Sequence, residues 1–286
     1  MSPSSISKEV RVHARVTSKA TWGLASLVLI AAVAALPAGA IAERAAPQTA
    51  ACAVTWVGHE QEVEAYLGTA KLDHMEDVPL GVTKPKRWFF APGGLIRSAA
   101  WKQLPPGRQK GYMESYKAEI AAYELDKLLE MHMVPPTVQR RIEQELGAFQ
   151  QWVEPVSGWH IDKPVQGPEP EWSRCVSRMK LFDQLTANID RNEGNLLYDA
   201  DWHLILIDHS RAFTDQKELK GMKQPGRIDK WLWDKIDALS LPQLEGALSP
   251  WLRKKEIEAI VERRDRMRAV ITKRVAERGE TATFLK

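Results

Sequence analysis

Asp190 and Asn195 stand five residues apart in NIDRNEGNLLYDADWHLILIDHSRAF, the stretch from Asn188 to Phe213, and Asp208 follows the apolar run Leu204–Ile207. Two acids and an amide so placed could cap and brace a hairpin, because Asp and Asn are common turn formers. They could also hold a divalent metal through hard oxygen donors, with one carboxylate left to orient an attacking hydroxyl. The segment NLLYDADWHLILID reads as a hairpin turning at Asp199–Asp201. Asn195 and Asp208 would then come from its two arms and could share one Mg²⁺. Asp199 and Asp201 fit the turn itself.

Phosphate transfer from a nucleotide also needs a cation on the α and β phosphates. Protein kinases place an Asn five residues after the catalytic-loop Asp, the separation found here, and use a strand lysine held by an acid on the next helix. Lys102, at the end of LIRSAAWK, lies on a candidate strand. Glu119 and Glu124 both follow on a candidate helix, but five helical positions set them roughly 140° apart, so only one can face Lys102. Glu124 suits solvent or packing between lobes. A surface Lys102 with a surface Glu119 is the plainer alternative.

The surrounding elements must position these groups. From Val54 to about Leu104 short apolar runs alternate with turns, and a hairpin is expected from Arg87–Phe90 and Leu95–Lys102 across Ala91–Gly94. Ala121, Leu125, Leu128 and Leu129 fall at helical spacing before Pro135 and Pro136 stop the helix. Strands fit 137–144 and 148–154, a Pro- and Gly-rich loop covers 155–172, and a helix spans Trp172 to Thr186. The C-terminal part is mostly helical, with Leu252, Ile257, Ile260, Val261, Met267, Val270 and Ile271 on one apolar stripe. This order is that of an α+β, two-lobed protein-kinase-like fold with a small β-rich N-lobe (54–154) and a mainly helical C-lobe (155–286).

Residues 1–42 have a separate logic. A basic stretch precedes the 21-residue apolar run Trp22–Ala42, which ends in small residues suited to signal peptidase. That length could also cross a bilayer as an uncleaved anchor. Residues 43–53 read as a linker. The chain is therefore expected to be exported: periplasmic, extracellular or anchored through residues 22–42. The remainder carries 36 basic and 36 acidic residues, with no basic excess to suggest a nucleic-acid partner or a pull toward an anionic membrane. Cys52 and Cys175 could pair in an exported chain. A free Cys52 and a buried thiol at Cys175 is the favoured reading, and no cysteine spacing suits zinc.

YKAEIAAYELDKLLEMHMVPPTV, followed by DRNEGNLL and IDHSRAF, resembles the secretory-pathway kinases of the Golgi casein kinase and four-jointed type. It looks most like their bacterial relatives, which are grouped with phosphatidylinositol 3-/4-kinase-like atypical kinases. EAYLGTAKLDHMEDVPLGVTKPKR is similar to the opening of their small lobe, so the likeness runs from Glu64 to the C-terminus. It implies Asp190 as the catalytic aspartate, Asn195 and Asp208 as metal ligands, and Lys102 held by Glu119. It further implies a hinge at Gln151–Glu154, with Trp152 and Val153 meeting adenine, and a phosphate-covering turn from Gly81 with Thr83 and Lys84. The chain departs from the pattern in three ways. It has no G-x-G-x-x-G loop, Asp208-His209-Ser210 replaces Asp-Phe-Gly, and the many cysteines of the animal enzymes are missing.

The expected function is an exported ATP-dependent phosphotransferase that uses Mg²⁺ or Mn²⁺ and moves the γ-phosphate to a hydroxyl on protein, sugar or lipid. The alternatives are a kinase-fold module that binds nucleotide with little catalysis, and an enzyme that transfers AMP.

Overall fold

The computed structural model describes residues 56–79, 85–109, 112–159, 166–219 and 221–286. The expected signal or anchor, the linker, Cys52, and the turn residues Gly81, Thr83 and Lys84 lie outside them. No helix among the described residues is long and apolar enough to cross a membrane.

Where the sequence suggested only strands and turns before Leu104, the structure begins with helix α1 (Glu60–Thr69). Its buried apolar residues are just Val63 and Leu67, a stripe too short to stand out against the turn signals around it. Strands β1 (Leu72–Asp77), β2 (Lys86–Phe90) and β3 (Ser98–Lys102) follow, then the small hairpin β4 (Gly107–Gln109) and β5 (Tyr112–Glu114). Helix α2 (Tyr116–Leu129) interrupts the sheet before β6 (Thr137–Ile142) and β7 (Glu145–Gln151) complete it. The five long strands form one antiparallel sheet in the order β1-β2-β3-β7-β6. This puts β3 in the middle, with Lys102 opposite Ala148. Trp101, Ala99, Phe149 and Phe90 pack on its inner face with Leu67 of α1.

Helix α2 starts at Ser115, whose hydroxyl accepts the Lys117 N–H, and ends at Glu130 in the left-handed region. Most of its length is buried, because it packs on both the sheet and the helices that follow. Asp126 closes the turn after it by accepting the Met133 and Val134 N–H groups at 3.0 and 3.1 Å. The helix thus ends at Leu129, six residues before the proline pair expected to stop it, and the segment leading into those prolines is held by a side chain of that helix.

The second lobe opens with the short β8 (Ser157–Gly158) and helix α3 (Glu171–Thr186), followed by a 3₁₀ turn at Glu193–Asn195. The expected hairpin is β9 (Leu196–Tyr198) and β10 (Leu204–Leu206), antiparallel, with β8 on its outer edge. Asp199 serves the turn, its Oδ1 accepting the Asp201 and His203 N–H groups, both at 2.9 Å. β11 (Ile228–Asp229) leads into α4 (Lys230–Ala238), α5 (Leu241–Leu248) and the long α6 (Lys254–Arg278). A short α7 (Glu280–Thr283) and β12 (Phe284–Leu285) end the chain, β12 pairing parallel with β11.

Of the apolar stripe on α6, Ile257, Ile260, Met267 and Ile271 are buried together with Leu252, while Val261 and Val270 are partly covered. Arg263 interrupts that stripe yet is fully buried, because its guanidinium donates to the backbone carbonyls of Leu185, Thr214 and Gln216. One sequence expectation is corrected here. Cys175, buried on α3, is disulfide-bonded rather than a free thiol.

Candidate active site

Strand β3 ends by sending Lys102 inward, and helix α2 sends Glu119 to meet it. Lys102 Nζ donates to Glu119 Oε1 at 2.6 Å and to Asp208 Oδ1 at 3.0 Å, so one ammonium lies between two carboxylates. The alternative of a surface Lys102 with a surface Glu119 does not survive, since their side chains are 9% and 1% exposed. Glu124, on another face of α2, pairs instead with Lys127 at 3.2 Å. Burial works against the charge on Lys102, but Asp208 and Glu119 outweigh it and hold its pKa above the ordinary lysine value. Burial pushes Glu119 upward despite Lys102. Lys102, against a burial effect, pulls Asp208 down to about 2, so Asp208 is a carboxylate at any physiological pH.

Asp208 has φ 60°, a left-handed conformation that aspartate tolerates better than most residues. The groups around it fix that bend. Besides Lys102, the Ser210 hydroxyl approaches its Oδ1 at 3.3 Å, and the His209 N–H that follows donates to Glu119 Oε2 at 3.0 Å. Glu119 thus holds both the lysine and the backbone just after Asp208.

The loop bearing Asp190 and Asn195 is tied down by Arg191, whose role the sequence reading missed. Its guanidinium donates to the Asp183 carboxylate at 3.0 to 3.2 Å, to Asn195 O at 3.0 Å and to Ile207 O at 2.7 Å, and meets His209 Nε2 at 2.8 Å. One side chain therefore joins α3, the loop bearing Asp190 and Asn195, and the end of the strand that delivers Asp208. His209 is fully buried, and burial with the adjacent Arg191 charge holds its pKa well below the usual histidine value. It stays neutral, with Nε2 as the acceptor. The signal for Asp183 was present in the sequence: an acid beside Leu181, Phe182 and Leu185 on the buried side of α3 demands a partner. Nothing in the sequence identified Arg191 as that partner.

Lys102, Asp190, Asn195 and Asp208 all line one cavity of about 570 Å³, with Trp152 and Val153 from the segment after β7. Ala100, Val156, Leu197 and Ile205 give the same cavity an apolar lining. The size falls in the ~300–1,000 Å³ range of small-ligand sites, and a mostly apolar wall with a few convergent polar groups is their usual make-up. The donor set suits a hard divalent cation: Asp208 brings a carboxylate, and the Asn195 amide donates through Nδ2 to Asp190 O at 3.2 Å, leaving its carbonyl oxygen as the ligand atom.

A five-stranded antiparallel sheet with one embedded helix, joined to a helical lobe across a cleft so lined, defines a protein-kinase-like α+β fold. No family model matches the sequence, and no curated protein matches it either. Among solved structures, the chain is similar to the Golgi casein kinase with Mn/ADP bound, at 14% identity and a TM-score of 0.63 over 82% of this chain and 81% of that one. It is also similar to hydra Fam20 with sugar, at 16% identity and a TM-score of 0.66 over 82% of this chain and 95% of that one. The likeness is one of fold, and that fold is the one of the Fam20-type atypical kinases.

Proposed function

We propose that this protein is an ATP-dependent phosphotransferase with a divalent metal, acting on a hydroxyl-bearing acceptor. The observation that carries the reading is the convergence of Lys102, Asp190, Asn195 and Asp208, drawn from both lobes, on one cavity with an apolar lining. In this reading residues 54–154 form the small lobe and 155–286 the large one, with the cleft between them. Ala100, Val153, Leu197 and Ile205 take the adenine, the Gln151–Glu154 segment offers it backbone groups, and Lys102, fixed by Glu119, meets the phosphates. The Golgi casein kinase captured with Mn/ADP supports the choice of ligands.

Asp190 orients the acceptor hydroxyl and accepts its proton as the hydroxyl oxygen bonds to the γ-phosphorus. The bond from that phosphorus to the bridging oxygen breaks, and ADP leaves with the electron pair. Asn195 and Asp208 would hold the Mg²⁺ or Mn²⁺, which would supply positive charge to the phosphate oxygens. Lys102 does the same from the β3 side, and its raised pKa keeps it cationic throughout. The apolar run Trp22–Ala42 supports action outside the cytosol, by export or by anchoring.

The test is thermal unfolding with ATP and Mn²⁺ followed by ATP turnover, on the wild type and on Asp208→Ala. The expected result is nucleotide-induced stabilisation and turnover in the wild type, and a folded variant that has lost metal-dependent turnover. Unchanged turnover in the variant overturns the assignment. Binding without transfer would point to a binding module, and an adenylyl group on the acceptor, seen by mass, to AMP transfer.

A further inference from the structure

Arg211 has no place in the scheme above, yet it touches the carboxylate assigned to the acceptor hydroxyl. Its Nη1 donates to Asp190 Oδ2 at 3.0 Å and its Nε to Glu114 Oε1 at 2.7 Å. The guanidinium also lies over the Tyr112 ring, 4.2 Å from the centroid. Glu114 ends β5, one residue before the Ser115 cap of α2, and its side chain is 8% exposed. The backbone closes the same joint, because the Ser115 N–H donates to Ser210 O at 2.9 Å. Arg211 is thus fixed on two sides by β5, the strand that leads into the helix carrying Glu119, and it holds Asp190 with one arm of its fork.

A buried carboxylate that anchors an arginine, which in turn grips a second and more exposed carboxylate, is a positioning arrangement. Asp190 keeps 38% of its side chain exposed and still lines the cavity. Gripping Oδ2 restricts the rotation of that carboxylate, so its second oxygen can be offered to an acceptor in a fixed direction. Surface ion pairs of ordinary kind carry little energy, but this arginine bridges two carboxylates, is stacked on an aromatic face and is anchored by the more buried of the two.

We infer that Arg211 is a positioning residue for Asp190, held by Glu114 and Tyr112, and that it couples the head of α2 to the orientation of the acceptor-side carboxylate. The inference rests on the phosphotransferase reading and deepens it. Two separate links then run to the site from α2 and the strand leading into it: Glu119 of α2 through Lys102 to the phosphate side, and Glu114 of β5 through Arg211 to the acceptor side. A shift of α2 would disturb both.

The experiment measures ATP hydrolysis, with water as the acceptor, in the wild type, Asp190→Asn, Arg211→Gln, Arg211→Lys, Arg211→Ala, Glu114→Gln and the double variant Arg211→Gln/Glu114→Gln. Arg211→Gln is expected to lower kcat on the order of tenfold or more, the cost of one charge-assisted hydrogen bond used in the transition state. KM for ATP and the nucleotide-induced rise in Tm should stay near wild type. Glu114→Gln should lower kcat less and add nothing on top of Arg211→Gln, since both act through one group. Added guanidinium ion should restore part of the activity of Arg211→Ala, a response that a purely structural role would not give. Wild-type kcat in Arg211→Gln, alongside an inactive Asp190→Asn, overturns the inference alone. Equal turnover in the wild type and Asp190→Asn overturns the phosphotransferase reading and the inference with it.

Discussion

Glu119→Gln tests the centre of the fold and the choice between two glutamates of one helix. Each carboxylate oxygen of Glu119 has its own donor, Lys102 Nζ at 2.6 Å and the His209 N–H at 3.0 Å. Glutamine keeps one acceptor and turns the other position into a donor, so one of two buried donors must lose its partner. An orphaned buried polar group costs ~1–3 kcal/mol, and Lys102 also loses one of its two anions. The expected loss is about 2–3 kcal/mol, a fall in Tm of roughly 5–10 °C for a domain of this size. Glu124→Gln is the control. Glu124 is 26% exposed and among the described residues pairs with Lys127, itself 30% exposed, so its loss should stay within ~0.5 kcal/mol. Thermal unfolding of both variants by circular dichroism decides the matter, with ATP turnover expected to fall in Glu119→Gln as well. Equal Tm values for the two variants would refute the argument, because the burial and double use of Glu119 are its whole basis.

Ala100→Phe should fill the apolar part of the cavity, abolishing the rise in Tm on adding ATP and Mn²⁺ while leaving turnover undetectable and the fold intact by circular dichroism. Asp126, 1% exposed, has its pKa pushed up by burial from 3.8 to about 7, against the Met133 and Val134 N–H groups. The native state therefore binds a proton that the unfolded chain has released, and stability falls as pH rises from 3.8 toward about 7. Asp126→Asn removes that dependence, so its Tm relative to wild type should climb across the same interval; a constant difference would contradict the linkage. Asp229→Ala should cost ~3–5 kcal/mol in chemical denaturation, because it strands a buried guanidinium and removes a helix cap. Arg178, 2% exposed, donates to Asp229 Oδ2 at 3.2 Å, and the Leu232 N–H at the start of α4 donates to Oδ1 at 2.8 Å.

Local signals made the element order legible. Helical spacing with a proline stop gave α2, and turn residues between apolar runs gave the β2–β3 and β9–β10 hairpins, since all of these are decided within a few residues of chain. The short apolar stripe of α1 fell below that threshold. The five-residue separation of Asp190 and Asn195, and Asp208 at the end of an apolar strand, were legible for the same reason: one hairpin brings them together.

Residue types suited to phosphate chemistry, and the kind of element carrying each, were legible in the chain alone. The choice between Glu119 and Glu124 came from packing, because it depends on which face of α2 meets β3. Packing also decided the partners of Arg191 and Arg211. Asp183 lies only eight residues before Arg191, but Ile207 and His209 reach it through the hairpin, and Glu114 reaches Arg211 across 97 residues. Charged side chains carry no record of a distant partner in the chain. Burial creates the demand for one, and only packing shows which group meets it.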